Sequence, residues 1–404
     1  MDFVSQYVLA RSGTEVPIRF TRWAAIALLS MASGRKVFDN LGDHFQISPW
    51  LYYGFIGDSG SGKSTAMEQA QDTLVAAIPN FPIGAAIASR EELTRLMASD
   101  VCQQTYIDHN GETVQWTPLA VFAHELTNFL SFKAEPMVEF LTAIFDRKSY
   151  DSMTIKRGTE KIINPFLPMI ACTTEENMTR LLRQHVFSGG MMRRFLMIPE
   201  DQEQAPITFP QKSLAAKEAE AWCIEHLKKV NTLAGCFQWP KDVAEFFIDW
   251  DLKKEVPKDP ILIGYYQKKS ILVRKVAMCI ALADADPKLV FTIDHLQKTI
   301  ALLTVNEQNM SRLTAAVGRN ELMVPQTKLL RDLEKMGGMM PESHFHKRAM
   351  LDMKEYEYKG MLDALQKTHQ ILAHYHTVND YREMFLFTKE RYQEMLLNGE
   401  IKLS

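Results

Sequence analysis

The chain has 404 residues, 46% hydrophobic and 24% charged, with 46 Lys+Arg against 49 Asp+Glu. At roughly 100–200 residues per domain this allows two or three domains, and a net charge of −3 leaves no overall basic field to recruit nucleic acid. Five cysteines without a CxxC pair exclude a disulfide scaffold and a zinc ribbon. The longest apolar run, 23–32, falls short of the ~20 residues of a membrane helix, and the first residues lack a signal peptide's features. A reduced, cytoplasmic, non-membrane protein is expected.

In chain order, 18–34 reads as a helix and 50–56 as a buried aromatic and β-branched strand. A Gly/Ser-rich loop, 57–65, follows, and then a helix over 66–77. Ser89-Arg90-Glu91-Glu92 is a capping box opening a helix over 91–98. Residues 105–108 and 112–116 flank His109-Asn110-Gly111, a hairpin signal because Asn-Gly tolerates positive φ. Further buried strands are expected at 119–123 and 166–173. Strands alternating with helices predict an α/β core. Beyond the polar stretch 200–212, helices are expected at 214–230, 268–284 and 293–315, the last capped by Thr292. The final 80 residues read as helices 326–336 and 356–368, then strands 371–377 and 384–388, a winged-helix-like order. The expected organisation is an N-terminal helical segment (1–48), an α/β core (49–205), a helical domain (206–320) and a winged-helix-like module (321–404).

The sharpest signal is Gly57-x-x-x-x-Gly62-Lys63-Ser64 between a strand and a helix. Small residues let the backbone N–H groups of Gly57, Asp58, Ser59, Gly60, Ser61, Gly62, Lys63, Ser64 and Thr65 turn toward phosphate oxygens, and the helix adds its positive N-terminal end. Lys63 would reach the β- and γ-phosphates of ATP, and the Ser64 hydroxyl would hold Mg²⁺. A surface turn of the same composition is the plain alternative.

Downstream, 119–123 ends in His124-Glu125. Glu125 is the natural base to position the attacking water and to help hold Mg²⁺. The alternative is a solvated carboxylate opening the next helix. The more usual Asp before it is replaced by His124, which leaves hydrolysis less secure than binding. The strand over 166–173 ends in Thr173-Thr174, where a motor places a residue sensing the γ-phosphate; ordinary helix capping also suits a hydroxyl there. Arg193-Arg194 after Gly189-Gly190 suits an arginine finger, with Arg194 first choice and Arg193 second, against an intrachain ion pair. Residues 152–163 read as a hairpin with a basic tip. Lys156, Arg157 and Lys161 on it would grip DNA phosphates without reading sequence; a solvated charged hairpin is the alternative.

With these residues the chain resembles P-loop ATPases of phages, prophages and plasmids described as primase-helicase or replicative helicase domains. The shared landmarks are Phe20-Thr21-Arg22-Trp23, the loop 57–65, Glu125-Leu126, Asn164-Pro165, Ser188-Gly189, Arg194-Phe195 and Arg274-Lys275-Val276-Ala277, spanning roughly 15–315. Their order is similar to that of minichromosome-maintenance and superfamily-three helicases, which have an AAA+ core; the former carry a C-terminal winged helix. The resemblance implies an α/β P-loop NTPase core of AAA+/RecA-like type. It implies a ring, hexameric by analogy, acting on single-stranded or forked DNA with other replication proteins. It also implies that Arg274 is a second sensor, unless it is an ordinary helix-face arginine. With no primase-type segment ahead of the loop, the chain would be the motor part alone.

The C-terminal module tempers this, because residues 325–404 carry 12 Lys/Arg against 12 Asp/Glu. The preferred expectation is an Mg²⁺/ATP-dependent oligomeric DNA motor. The alternative is an ATP-dependent switch or helicase loader that hydrolyses slowly. A small-molecule kinase explains the loop but not Arg193-Arg194.

Overall fold

The computed structural model describes residues 2–42, 45–86, 89–130, 134–154, 158–183, 189–200, 207, 211–256, 262–317, 323–351, 353–368, 370–378 and 381–399. The chain divides into two compact units, Met1–Val317 and Gly318–Ser404.

The first unit is a mixed α/β body around a five-stranded parallel sheet. Its strands are β1 (Tyr52–Ile56), β2 (Ile83–Gly84), β3 (Ala120–Ala123), β4 (Met169–Thr173) and β5 (Phe195–Pro199). They lie in the order β5-β1-β4-β3-β2. Every residue of β1, β3, β4 and β5 is buried, as expected for parallel strands covered on both faces. This explains why they read as continuous apolar runs rather than alternating ones. Thr173 and Pro199 both pair with Ile56, so β4, β1 and β5 end level. Ala123 pairs with Ala171, which puts Glu125 level with Thr173.

Helices cover the sheet. Helix α1 (Phe3–Ala10) packs on Leu214–Thr232, and α2 (Ile18–Ser33) packs against both of these and against Lys269–Leu282. Helix α2 is buried nearly all round, from Phe20 to Ser33 excepting Arg22, which is why its apolar residues show no clean stripe. The segments read from sequence as 1–48, 49–205 and 206–320 contribute to one continuous core running from Phe3 to Leu313. The first unit also carries hairpin Gln104–Ile107/Thr113–Pro118, with Asp108 accepting from the Asn110 and Glu112 N–H groups at its turn. A second hairpin, Ser149–Thr154/Gly158–Ile163, is antiparallel.

The second unit runs helix Met323–Lys335, strand Met339–Pro341, helices Glu342–Ala349 and Glu355–Lys367, strands Ile371–Val378 and Tyr381–Thr388, and helix Lys389–Leu397. Its three strands form an antiparallel sheet with the Tyr381–Thr388 strand in the middle. Leu333, Phe345, Leu365 and Ile371 fill its own core. Among the described residues no helix is long and apolar enough to cross a membrane.

Candidate active site

From β1 the chain crosses to β2 at one edge of the sheet and returns through β3 to β4. It then passes over β1 to β5 at the other edge. The connections leaving β1 and β4 therefore diverge, and the crevice at their carboxyl ends is where open α/β sheets take ligands. Gly57–Gly62 and Thr173-Thr174 emerge there side by side.

The loop leads into helix α3 (Lys63–Ala77), which begins one turn earlier than its apolar periodicity suggests. Gly62 sits at the helix N-cap with φ +78, and a Cβ there would lie 3.1 Å from Pro17 Cδ and 3.3 Å from Val16 Cα. Both facts demand glycine. The contact also shows that residues 14–16 form the opposite wall. Between them and residues 60–65 lies a cleft of about 460 Å³, with Ile207 on its rim. Lys63 is buried and folds back on its own loop, donating to the Gly57 carbonyl at 2.8 Å, the Asp58 carbonyl, and Ser61 Oγ at 3.3 Å. The Cys172 thiol donates to Met67 Sδ at 3.9 Å, and burial pushes it up to about 12. That thiol is a neutral group beneath the loop.

Glu125 is half-buried. Its Oε1 accepts from the Thr173 hydroxyl at 2.9 Å, from the Thr127 hydroxyl at 2.9 Å, and from the Thr127 N–H at 3.4 Å. Its carbonyl opens helix Leu126–Leu130, so the carboxylate serves both as helix cap and as the acid facing β4. Thr174 caps helix Glu175–Arg183, its hydroxyl accepting from the Asn177 N–H at 3.2 Å. Of the two threonines, Thr173 therefore touches the acid. His124 is exposed and lies 3.7 Å from Glu68 on α3.

Sequence reasoning overlooked Glu200. It follows β5 directly, its N–H bonds the Ile56 carbonyl, and a Cβ on Gly57 would meet its Oε2 at 2.4 Å. Burial raises its carboxyl above the ordinary range, against the pull of a Ser61 hydrogen bond, the Lys63 charge and the Asp58 backbone N–H. Only the pairing of β5 with β1 brings it to the loop, so no local motif announces it.

Arg193 and Arg194 differ sharply. Arg194 is half-buried, donates to the Gly190 carbonyl at 2.6 Å and lies over the Phe145 ring at 5.3 Å. Burial lowers its pKa, and the Arg193 and Arg147 charges act in the same direction. Arg193 is exposed, with a long 3.5 Å contact to Gln267. Arg274 does not line the phosphate-loop cleft. It pairs with Asp39 at 2.7 Å and lies over the Trp239 and Phe247 rings. On the basic hairpin Lys161 is exposed, and Lys156 and Arg157 lie outside the described residues.

Among the described residues no group of three or more His, Cys, Asp or Glu could hold a metal by itself. A phosphate-bound Mg²⁺ does not require one, because it keeps its waters and takes few protein ligands. A serine hydroxyl and a nearby carboxylate suit that role. No protein-family model matches the chain, and no curated protein matches it.

Proposed function

We propose that the protein is an Mg²⁺/ATP-dependent DNA motor of the phage or plasmid replicative-helicase type, working as an oligomeric ring. The observation that carries this reading is the meeting, at the carboxyl end of the sheet, of the loop from β1, Glu125 after β3 and Thr173 at the end of β4, with Thr173 hydrogen-bonded to Glu125. A phosphate-binding loop alone needs no acid beside it; hydrolysis does. Lys63, released from its loop carbonyls, would contact the β- and γ-phosphates. Ser64 and Glu125 would hold Mg²⁺, which neutralises phosphate charge when bound. Thr173 would orient Glu125 toward the attacking water, and the wall at residues 14–16 leaves room for the base and ribose.

The exposure of Arg193 supports the ring, in which it would reach a neighbouring copy's nucleotide. Arg194 instead braces the turn that presents it. DNA contact is supported by the hairpin bearing Lys161, and the element order of Gly318–Ser404 supports a winged-helix reading. One observation favours a slower ATP-dependent switch or loader. The residue in place of the usual Asp is His124, which lies 3.7 Å from Glu68 on α3. ATP turnover measured with and without single-stranded DNA, in wild type, Lys63→Ala and Glu125→Gln, tests the proposal. DNA-dependent turnover lost in both variants supports a motor, and nucleotide-dependent DNA binding with negligible turnover supports the switch.

A further inference from the structure

A second cleft, of about 310 Å³, opens at the base of the Ser149–Thr154/Gly158–Ile163 hairpin and shares no lining residue with the phosphate-loop cleft. Arg35, Phe45, Asp146, Arg147 and Lys148 line it. Its one carboxylate is already spoken for. Asp146 pairs at 2.9 Å with Lys275, which is 1% exposed and also donates to the Ser48 carbonyl at 2.7 Å. Those two charges cancel, and three cations remain.

Arg35 spends its guanidinium on backbone, donating to the Arg147 carbonyl at 2.8 Å and the Pro165 carbonyl at 2.9 Å. Neutral acceptors hold the turn without offsetting its charge. Asp146 has φ 56, a left-handed conformation that non-glycine residues seldom adopt. Its ion pair with buried Lys275 fixes that bend, from which Arg147 and Lys148 emerge exposed. Neither makes an ion pair with a carboxylate among the described residues. Phe45, 48% exposed, stands in the same cleft. An adjoining cleft of about 220 Å³ shares Phe45 and Asp146 and adds Arg193, Arg194 and Lys268.

Uncompensated cations repel one another and call for an anion. A free phosphate would meet the charge but leave Phe45 bare, and an acidic peptide has no need of an aromatic face. A nucleic-acid strand supplies both phosphates and stackable bases. We propose that this cleft binds the phosphodiester backbone of single-stranded nucleic acid. Arg147 and Lys148 contact its phosphates, Phe45 offers a stacking surface, and Arg35 positions the turn. The strand would then run from the hairpin down to its base. This site rests on the DNA-motor reading and deepens it, and because its binding is measured without nucleotide, its failure is distinguishable from failure of the ATPase.

The test is fluorescence anisotropy of a labelled oligothymidylate with the full chain, across a KCl series and without ATP. The Arg147→Ala/Lys148→Ala variant is expected to bind about 10-fold more weakly at low salt. Its log–log salt slope should fall by about 1.4, at about 0.7 per single-strand phosphate contact. Phe45→Ala is expected to lose about 5-fold or more with the slope unchanged. Should the double variant fail to fold by circular dichroism, the single exposed change Lys148→Gln should still lower the slope by about 0.7. Unchanged affinity and slope overturn the proposal. So does intact oligonucleotide binding with a loss only of ATP turnover in the assembled protein, which would mean that the cleft faces a neighbouring copy's nucleotide.

Discussion

The Thr173 hydroxyl donates to Glu125 Oε1 at 2.9 Å, joining the ends of two adjacent parallel strands beside the loop that begins at Gly57. Glu125→Gln should keep ATP binding and lose about 10²–10³ in turnover, the scale for removing a positioned acid–base or electrostatic group. Thr173→Val removes the donor without changing shape, and is expected to cost about 10-fold in kcat at unchanged ATP affinity. Equal losses in binding and turnover for Thr173→Val would make the hydrogen bond merely structural.

The Glu200 carboxylate shares the loop with Lys63, so it opposes the arrival of phosphate charge. Glu200→Gln should tighten ATP binding by about 5-fold or more at neutral pH, about 1 kcal/mol for a like charge in a partly solvated site. Because its carboxyl is raised in the folded state, wild-type affinity should improve as the pH falls through that raised value. The Gln variant should lack this rise. Titration calorimetry at a series of pH values measures both.

Exposed Arg193 and braced Arg194 should fail in different ways. Arg193→Ala is expected to leave stability intact and to cut turnover by about 10³-fold, as for a lost arginine finger. Mixing it with Lys63→Ala should partly restore activity, because each copy supplies what the other lacks. Arg194→Ala leaves the Gly190 carbonyl without its donor and should lower the thermal midpoint. Loss of activity in Arg194→Ala at wild-type stability would reverse the two roles.

Lys36 lies 8% exposed beneath helix Leu214–Thr232, donating to the Asn231 carbonyl and to Asn231 Oδ1 at 2.6 Å. Burial lowers its pKa to about 8. The folded state therefore releases its proton before the unfolded chain does. The cost of burying the ammonium is present in full below about pH 8 and is relieved as the pH rises toward 10.5, by an amount on the order of 3 kcal/mol. Denaturant unfolding should show this gain in wild type and lose it in Lys36→Met.

Much of the core was legible because its signals are local. The aromatic strand before Gly57, the loop itself, the Ser89–Glu92 capping box and the Asn110-Gly111 turn each declare themselves within a few residues, and the box and both elements flanking the loop are present. What escaped depends on distant pairing or on weak patterns. Helix Glu342–Ala349 buries only Phe345 and Ala349, too few for a readable stripe. Helix α1 is short, and packing on a helix some 200 positions later steadies it. Glu200 reaches the loop only because β5 lies beside β1. Two adjacent arginines cannot reveal which faces outward until the turn between Gly190 and Phe195 is built.

The motor reading is tested most directly by the steady-state rate of ATP hydrolysis with and without single-stranded DNA, for wild type beside Glu125→Gln. The account predicts turnover that DNA stimulates several-fold in the wild type and that Glu125→Gln abolishes while still binding ATP. Wild-type turnover that ignores DNA, or that survives in Glu125→Gln, would contradict it.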